Sequence, residues 1–523
     1  MLEAPMLQDW AALTAVDLAD DAVALELKVL RDFGRGIRGI KLLKKKPSLS
    51  NENRATFASS QWKGVRAKFL LQTTAGGIAF MLWFLACCSY LFGTLYGSSR
   101  RHHNFEILAV NYDGGVVGAA MEGAYQQLKG PGFFTLNYRT PEEYPTEADM
   151  YHAVWEGKYW GAISVTSGVS TRLEGAIKGI NASTYNPADA LHYIWNQQKY
   201  TAFSNSVVQA HMQQLVALTH VVYNKMNGTQ ASQFLNRTDP AAVQVLLNAI
   251  SSTATDIQQA PFGSVILLNT VSMAMPIMQQ FFFLLVINGV MRQHLLYSKM
   301  TVRSSLLVRR IAGAIFTLGA ALCQTGYFWA FRESWNVNGN QFVLTWMTFW
   351  LLMNIHYLIL DSISTVAPLP VMPFVVLLWV FLNISSTLSP LELQPGFFHW
   401  GIALPSYNAY SILITIWTGG AENRLYRALP ILFSWWVLAN ITTSLTHIRA
   451  CHLAYKLDEE SNQGQTKSAK DEEAGISSDG DADRMVSRQT TFNRPTTLQR
   501  QKTFEEAAME QRQVYGPSIP PFP

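Results

Sequence analysis

Charge is the first thing this chain is short of. Only 15% of its 523 residues are Asp, Glu, Lys or Arg, while 49% are hydrophobic; a soluble globular chain carries roughly 25% charged residues. The deficit is local. Long apolar runs alternate with ordinary polar sequence, which is the pattern of a polytopic membrane protein. Cysteine is scarce too. Cys87 and Cys88 lie in the first apolar run, Cys323 in a later one and Cys451 just after the last. None falls between Arg100 and Pro261, which excludes a disulfide-stapled extracellular module there. Cys451 reads as an ordinary thiol, although its position suits palmitoylation. No G-x-x-x-x-G-K-[ST] phosphate cradle, H-x-x-x-H pair, paired carboxylate or nucleophile arrangement occurs. An enzyme, a bound cofactor or metal, and a nucleic-acid partner are therefore not expected. The acidic start, MLEAPMLQDWAALTAVDLADD, lacks the basic region of a secretory signal, so the first apolar run is expected to act as an uncleaved anchor.

What is present is a set of apolar runs near the roughly 20 residues that a spanning helix needs. Six stretches qualify: 70–95, 265–290, 311–331, 342–362, 370–388 and 430–449. A seventh, 398–418, is interrupted by Pro405, Tyr407 and Asn408 and reads as re-entrant or interfacial. Basic residues precede the first span (Lys41, Lys44 to Lys46, Arg54, Lys63, Arg66, Lys68). They recur between spans two and three (Arg292, Lys299, Arg303, Arg309, Arg310) and after the last (Arg449, Lys456). Arg100 and Arg101 dissent, but the excess places both termini in the cytosol. Three N-x-[ST] glycosylation acceptors, Asn181, Asn227 and Asn236, then fall in the segment predicted to lie outside. Asn383 and Asn440 match the same pattern inside spans and are expected to stay unused. The expected fold is an α-helical polytopic membrane protein of about six spanning helices (1+5), with an α/β exoplasmic domain inserted between helices one and two. Its parts are a basic cytosolic region 1–68, a first helix 69–96, the outside domain 97–264, a five-helix membrane domain 265–450 with its re-entrant loop near 389–429, and a disordered tail 451–523.

The outside segment alternates strand and helix patterns. FEILAVNYD, FFTLNYR and YWGAISV read as strands, separated by the helical stretches VVGAAMEGAYQQL and EADMYHAVWEG and followed by GVSTRLEGAI. This is a small α/β layer. At the first strand–helix junction, Gly114 and Gly115 allow a turn with positive φ, and Asp113 is placed to cap the next helix. The junction reads foremost as a structural turn, with ligand contact and catalysis as alternatives; catalysis would need a partner acid or metal that the sequence does not suggest.

The VNYDGG turn, EGKYWGAISVTSGVSTRLEGAI, PGFFHWGIALPSYNAYSILITIWTGGAENRL and the order of all the parts resemble the fungal nitrosoguanidine-resistance membrane protein family, over about residues 65–455. That family is similar to type-2 ABC exporter permeases and to bacterial phage-infection-type membrane proteins. The resemblance implies a multi-pass plasma-membrane protein linked to drug resistance and lipid organisation. A permease-type transporter without its own ATPase, acting by export or lipid movement, is the leading expectation. It would work with membrane lipids or amphipathic small molecules, and would use a separate energising partner, a gradient or passive equilibration. The alternative is a non-transporting organiser of lipid distribution, acting through the outside domain.

Ionisable groups inside spans are costly and therefore functional candidates. His356 and Asp361 lie in span four, with Gln279, Asn288, Gln324, Asn354 and Asn383 adding uncharged polar atoms. One reading makes Asp361 a helix-end cap and His356 a partner of a neighbouring helix. The sharper reading lines a substrate path with Gln279, Asn354, His356 and Asp361, so that Asp361→Asn would abolish resistance at unchanged abundance. Span three is rich in Ala and Gly, which suits a close packing face or a seam of a homo-oligomer. GRGIRG (34–39) lacks the strand, turn and acidic residue of a dinucleotide site and belongs to a basic run attracted to anionic lipid. The Ser/Thr-rich tail carries four R-x-x-[ST] units, ending at Ser487, Thr491, Thr497 and Thr503, which are expected phosphorylation sites.

Overall fold

The structure, a computed structural model, describes residues 57–60, 63–260 and 263–476. The basic run 28–46 and the four tail sites Ser487, Thr491, Thr497 and Thr503 lie outside the described residues. The chain divides into two compact units, one ending at Ala79 and one beginning at Phe80. In the first, Arg66 donates to the carbonyls of Ala58 and Ser59 and lies 5.9 Å from the ring of Phe57. Helix α1 spans Lys63–Leu95.

From Phe80 onward, a sheet comes first. Strands β1 (Glu106–Asn111), β2 (Thr135–Arg139), β3 (Gly161–Val165), β4 (Leu191–Trp195) and β5 (Ser252–Asp256) line up in the order β2-β1-β3-β4-β5. β1 is parallel to β2 and β3, β3 is antiparallel to β4, and β4 is parallel to β5. Helices α2 (Val116–Leu128), α3 (Glu147–Trp155) and α4 (Val169–Ile177) fall where the alternating pattern places them. The 25-residue helix α5 (Ala210–Phe234) and the short α6 (Pro240–Leu247) complete the layer. Side chains alternate across the pleat, so each strand feeds two cores. Ile107, Ala109, Ile163 and Val165 face α2, α4 and α5. Leu108, Val110, Ala162 and Ile194 face Met150, Ala153 and Val154 of α3.

The turn after β1 is a bracket between two helices. Asn111 Oδ1 accepts the backbone N–H groups of Asp113 and Gly114, both at 3.1 Å, and Gly114 takes φ +65°. Asp113 Oδ1 accepts from the backbone N–H of Ser170 at 3.0 Å, and its Oδ2 accepts from Ser170 Oγ and from the N–H of Gly115. Asp113 was expected to cap α2. Instead Ser170, at the start of α4, accepts the N–H of Val117 at 3.0 Å, and Asp113 holds Ser170 in that position.

The membrane part comprises α7 (Val271–Gln293), α8 (Val302–Ala330), α9 (Gly339–Val366), α10 (Met372–Leu388), α11 (Pro405–Trp417) and α12 (Leu425–Ile476). Among the described residues, five helices are long and apolar enough to cross a bilayer: α1, α7, α8, α9 and residues 425–460 of α12. The sixth expected span is α10, with 17 residues. At 1.5 Å per residue it reaches about 26 Å, less than a bilayer core of about 30 Å. Helix α9 is central and packs against α7, α8, α11 and α12. Within 398–418 the chain does change at Pro405, from a 3-10 helix over Gly396–Ala403 to the buried helix α11, but Tyr407 and Asn408 interrupt nothing. Pro405 sits in the first turn, where its missing N–H costs nothing, and Asn408 donates to the carbonyls of Ile402 and Leu404 at 2.8 and 2.9 Å.

Two further expectations change. Arg309 and Arg310, counted as loop cations, lie inside α8. The tail, expected to be disordered from residue 451, is helical through Ile476; its stretch 458–476 is rich in Glu, Gln, Lys and Ala, which are strong helix formers. The small-residue face of α8 is partly spent on internal packing. Any Cβ at Gly313 would fall 2.3 Å from the ring of Tyr357, whereas Gly319 and Gly326 meet nothing.

Two stability predictions follow from the sheet. Asp113→Ala removes the bracket between α2 and α4 and should cost about 1 kcal/mol, the low end of the scale for unpairing donors because these are only half-buried; thermal unfolding of the full-length protein in detergent reads it. At the end of β5, Asp256 accepts from the N–H groups of Gln197 and Gln258 at 3.0 and 3.2 Å, yet burial pushes its carboxyl up to about 6. A folded-state value above the unfolded one means that this contribution is full at low pH and is lost as pH rises through about 6. The wild-type protein should therefore gain stability relative to Asp256→Asn between pH 7 and pH 5, and parallel melting curves for the two would overturn the assignment.

Candidate functional site

Where the sheet meets the helical bundle, a cavity of about 200 Å³ is lined by residues from four separate segments. Trp160 precedes β3, Lys199 and Tyr200 follow β4, Glu392 follows α10, and Tyr407 of α11, Glu422 and Arg424 of the turn after it and Arg427 of the first turn of α12 form the last segment. The apolar core is continuous across this seam, running from the sheet helices to Phe328, Phe349 and Trp417 of the bundle. The cavity is therefore a gap in one packed body.

Lys199 Nζ lies 2.7 Å from Glu422 Oε1, with the two side chains only 11% and 5% exposed. The same ammonium sits 3.8 Å from the ring centroid of Trp160, a cation–π contact that desolvation strengthens. The Trp160 indole donates to Glu392 Oε1 at 3.3 Å. Glu422 holds φ +56°, a strained value for a non-glycine residue. It is pinned there by its N–H to the Trp155 carbonyl (2.8 Å) and by Thr415 Oγ1 donating to its own carbonyl (3.1 Å). Gly157, at φ +75°, makes room for its carboxylate. Burial holds the Tyr200 phenol far above its ordinary range, chiefly by desolvation, so it remains a neutral donor.

Three cations and two carboxylates line this cavity. Lys199 and Glu422 cancel, and Glu392, although its Oε1 accepts from the Trp160 indole, still carries a negative charge, so Arg424 and Arg427 leave a net excess of one positive charge. Arg424 donates to the Gly157 carbonyl at 3.1 Å, and Arg427 lies 5.6 Å from the Tyr407 ring centroid with its Nε buried and without a hydrogen-bond partner. Both arginines stand at the N-terminus of α12, whose first turn has no acidic residue. That end of a helix already carries partial positive charge. Arrangement and field together suit a compact anion with several acceptor oxygens.

The four residues expected to line a path do not converge. Asn354 accepts from the Trp436 indole of α12 at 2.9 Å. His356 is fully buried and accepts from the Trp379 indole of α10 at 3.1 Å. Asp361, also fully buried, does not end its helix, which runs on to Val366; its Oδ1 pairs with Arg309 of α8 through Nε, at 2.9 Å, and through a second, shorter bond. Gln279 sits on α7 with its buried Oε1 unpartnered. None of the four lines the seam cavity. The ion pair is the feature that sequence reading missed: an aspartate in a span demands a cation, and Arg309 supplies it. The guanidinium is then fully engaged, donating also to Tyr297 Oη (2.9 Å), Asn288 Oδ1 (2.7 Å) and Met291 Sδ (3.2 Å).

Two other groups are structural in kind. His192 lies 2.9 Å from Glu147 Oε2 and 2.8 Å from Thr255 Oγ1, a hydroxyl–imidazole–carboxylate chain. Thr255 sits in the β4–β5 ladder, and neither described cavity opens beside it, so the chain ties α3 to the sheet. Of the glycosylation acceptors, Asn181 is exposed on a turn, Asn227 is half-buried within α5, and Asn236 Oδ1 is taken up by Thr238.

Removing one partner of a buried ion pair strands the other, at about 3–5 kcal/mol. Asp361→Asn should therefore lower protein abundance and thermal stability, and Arg309→Met with Asp361→Leu should restore both. Loss of function at normal abundance would instead favour a direct role for Asp361.

No solved structure matches this chain. Residues 77–441, from within α1 to the middle of the membrane part of α12, match the family described as "Protein of unknown function (DUF3533)". That match takes in the sheet, the seam and the central helices together, and the chain belongs to this family of uncharacterised membrane proteins.

Proposed function

We propose that this protein holds the anionic headgroup of an amphipathic molecule, a membrane lipid in the first instance, in the seam between its outside domain and its bundle. On this reading it organises lipid at the outer surface of the plasma membrane, with both termini cytosolic. The observation that carries the reading is the cationic, headgroup-sized cavity at the start of an apolar helix, ringed by Trp160, Tyr407 and two arginines. Aromatic rings at that level are the usual anchors at a membrane–water interface. The resemblance to nitrosoguanidine-resistance proteins supports a role in drug resistance through lipid distribution.

Export remains the second reading, in line with the similarity to type-2 ABC permeases. It is favoured by a further cavity at the opposite end of the bundle, which gives the molecule an opening at each end. It is disfavoured by the separate engagement of Asn354, His356 and Asp361, which leaves no shared polar lining at mid-bundle. Movement would need a borrowed energy source, a gradient or passive equilibration.

The test uses cells with and without the protein, loaded with a fluorescent anionic phospholipid, with retention followed before and after ATP depletion. The organiser reading expects greater outer-leaflet retention that ATP depletion does not change and that Arg424→Gln with Arg427→Gln abolishes at normal surface abundance. Faster loss of label that requires ATP would replace it with export.

A further inference from the structure

The second cavity has about 390 Å³ of space and lies at the end of the bundle remote from the sheet, among the end of α7, the turn after it, the end of α9 and residues 450–458 of α12. We infer that it is a separate binding site for an uncharged amphiphile: a hydroxyl-bearing head on an apolar body, of the neutral-glyceride kind. The inference does not depend on the seam cavity binding lipid.

The walls divide by chemistry. On one side, Asn288, Tyr297 and Ser364 form a polar floor. These residues are already ordered: Tyr297 Oη donates to Asn288 Oδ1 at 3.3 Å, Asn288 Nδ2 donates to Ser364 Oγ at 3.4 Å, and Arg309 holds both Asn288 and Tyr297 from behind. The opposite wall is Ala450, Leu453, Ala454 and Leu457 of α12. An occupant must hydrogen-bond on one side and bury apolar surface on the other.

Charge selects against an ionic head. The strongest nearby charge, Arg309, is cancelled by Asp361 and has its donors spent within the protein. Of the lining residues, only Arg292 and Asp458 are ionic, and they are of opposite sign. Neither a phosphate monoester nor an ammonium gains a net partner here, whereas a hydroxyl can both donate to and accept from the Asn288–Tyr297–Ser364 floor. The volume falls in the range of small-molecule pockets, about 300–1,000 Å³.

The probe is a photoactivatable, clickable monoacylglycerol, applied to the full-length protein in detergent micelles, with labelled peptides located by mass spectrometry. Labelling is expected on residues 450–458. Filling the cavity from its apolar wall by Ala454→Trp, and separately by Ala450→Trp, should each reduce labelling about tenfold, the equivalent of about 1.4 kcal/mol of binding. Melting curves show whether each variant is folded, and the second variant serves if the first is not. Unlabelled monoacylglycerol should compete and lysophosphatidic acid should not. Labelling elsewhere, labelling unaffected by both folded variants, or equal competition by the anionic lipid would each overturn the assignment. Labelling that emerges only after removal of residues 477–523 would also overturn it, by making the chain's own tail the occupant.

Discussion

A polar group placed inside an apolar bundle is costly unless it finds a partner within the protein, because lipid offers none. Helix α9 shows how far this constraint reaches. Asp361 takes Arg309 from α8, His356 takes an indole from α10, and Asn354 takes an indole from α12. Each bond ties the central helix to a different neighbour, so the polar residues fix the bundle's arrangement. An ion pair of this kind is weak evidence for stability in itself, since apolar replacements of equal volume do as well. Its consequence lies in what it forbids: neither partner can be lost alone.

The same constraint shapes the two ends differently. At the seam, Lys199 and Glu422 neutralise each other across the joint between sheet and bundle, and Trp160, over whose ring Lys199 sits, donates to Glu392 as a second attachment. Strain at Glu422 is held by backbone bonds to Trp155 and from Thr415, so the carboxylate is presented in one place. Of the two arginines at the head of α12, Glu392 in the same cavity can balance only one, which leaves a net positive field there. At the far end the charges cancel within the wall, and the remaining surface is hydrogen-bonding and apolar.

Much of the fold was legible because its signals are local. β1 to β3 and α2 to α4 alternate in period and carry Gly or Pro at their junctions, and the spans announce themselves by length. β5, with the sequence STATD, has no hydrophobic alternation because it is a polar edge strand, and α5 has too weak an apolar stripe to stand out from its surroundings. Arg309 was misplaced because counting positive charge near span ends treats every arginine as a loop residue. The charge of Asp361 was the available clue, and it was not followed to a partner. The seam site was illegible for another reason: Trp160, Lys199, Glu392 and Arg427 are each ordinary in their own segments, and only the packing of sheet on bundle gathers them.

That gathering bears on what the inserted α/β domain is for. A domain inserted between two spans could be a tethered binding module, independent of the helices. Here the apolar core runs without a break from Ile163 and Leu215 to Phe349 and Trp417, and the Tyr410 hydroxyl of α11 donates to the Lys199 carbonyl at 3.2 Å. A headgroup bound by Arg427 would therefore touch the helix that carries the far cavity's apolar wall some 25 residues later, in the same unbroken α12. At 1.5 Å per residue the two sites stand about 40 Å apart along one helix. Coupling between them requires a second arrangement of α12 against α9 that both ligands distinguish. The contacts that such a rearrangement would have to exchange are the Trp436–Asn354 bond and the bonds of Thr443 to Ser362 and to the Leu358 carbonyl. These lie on the stretch of α12 between the two cavities, so they are where any communication between the two sites would have to pass.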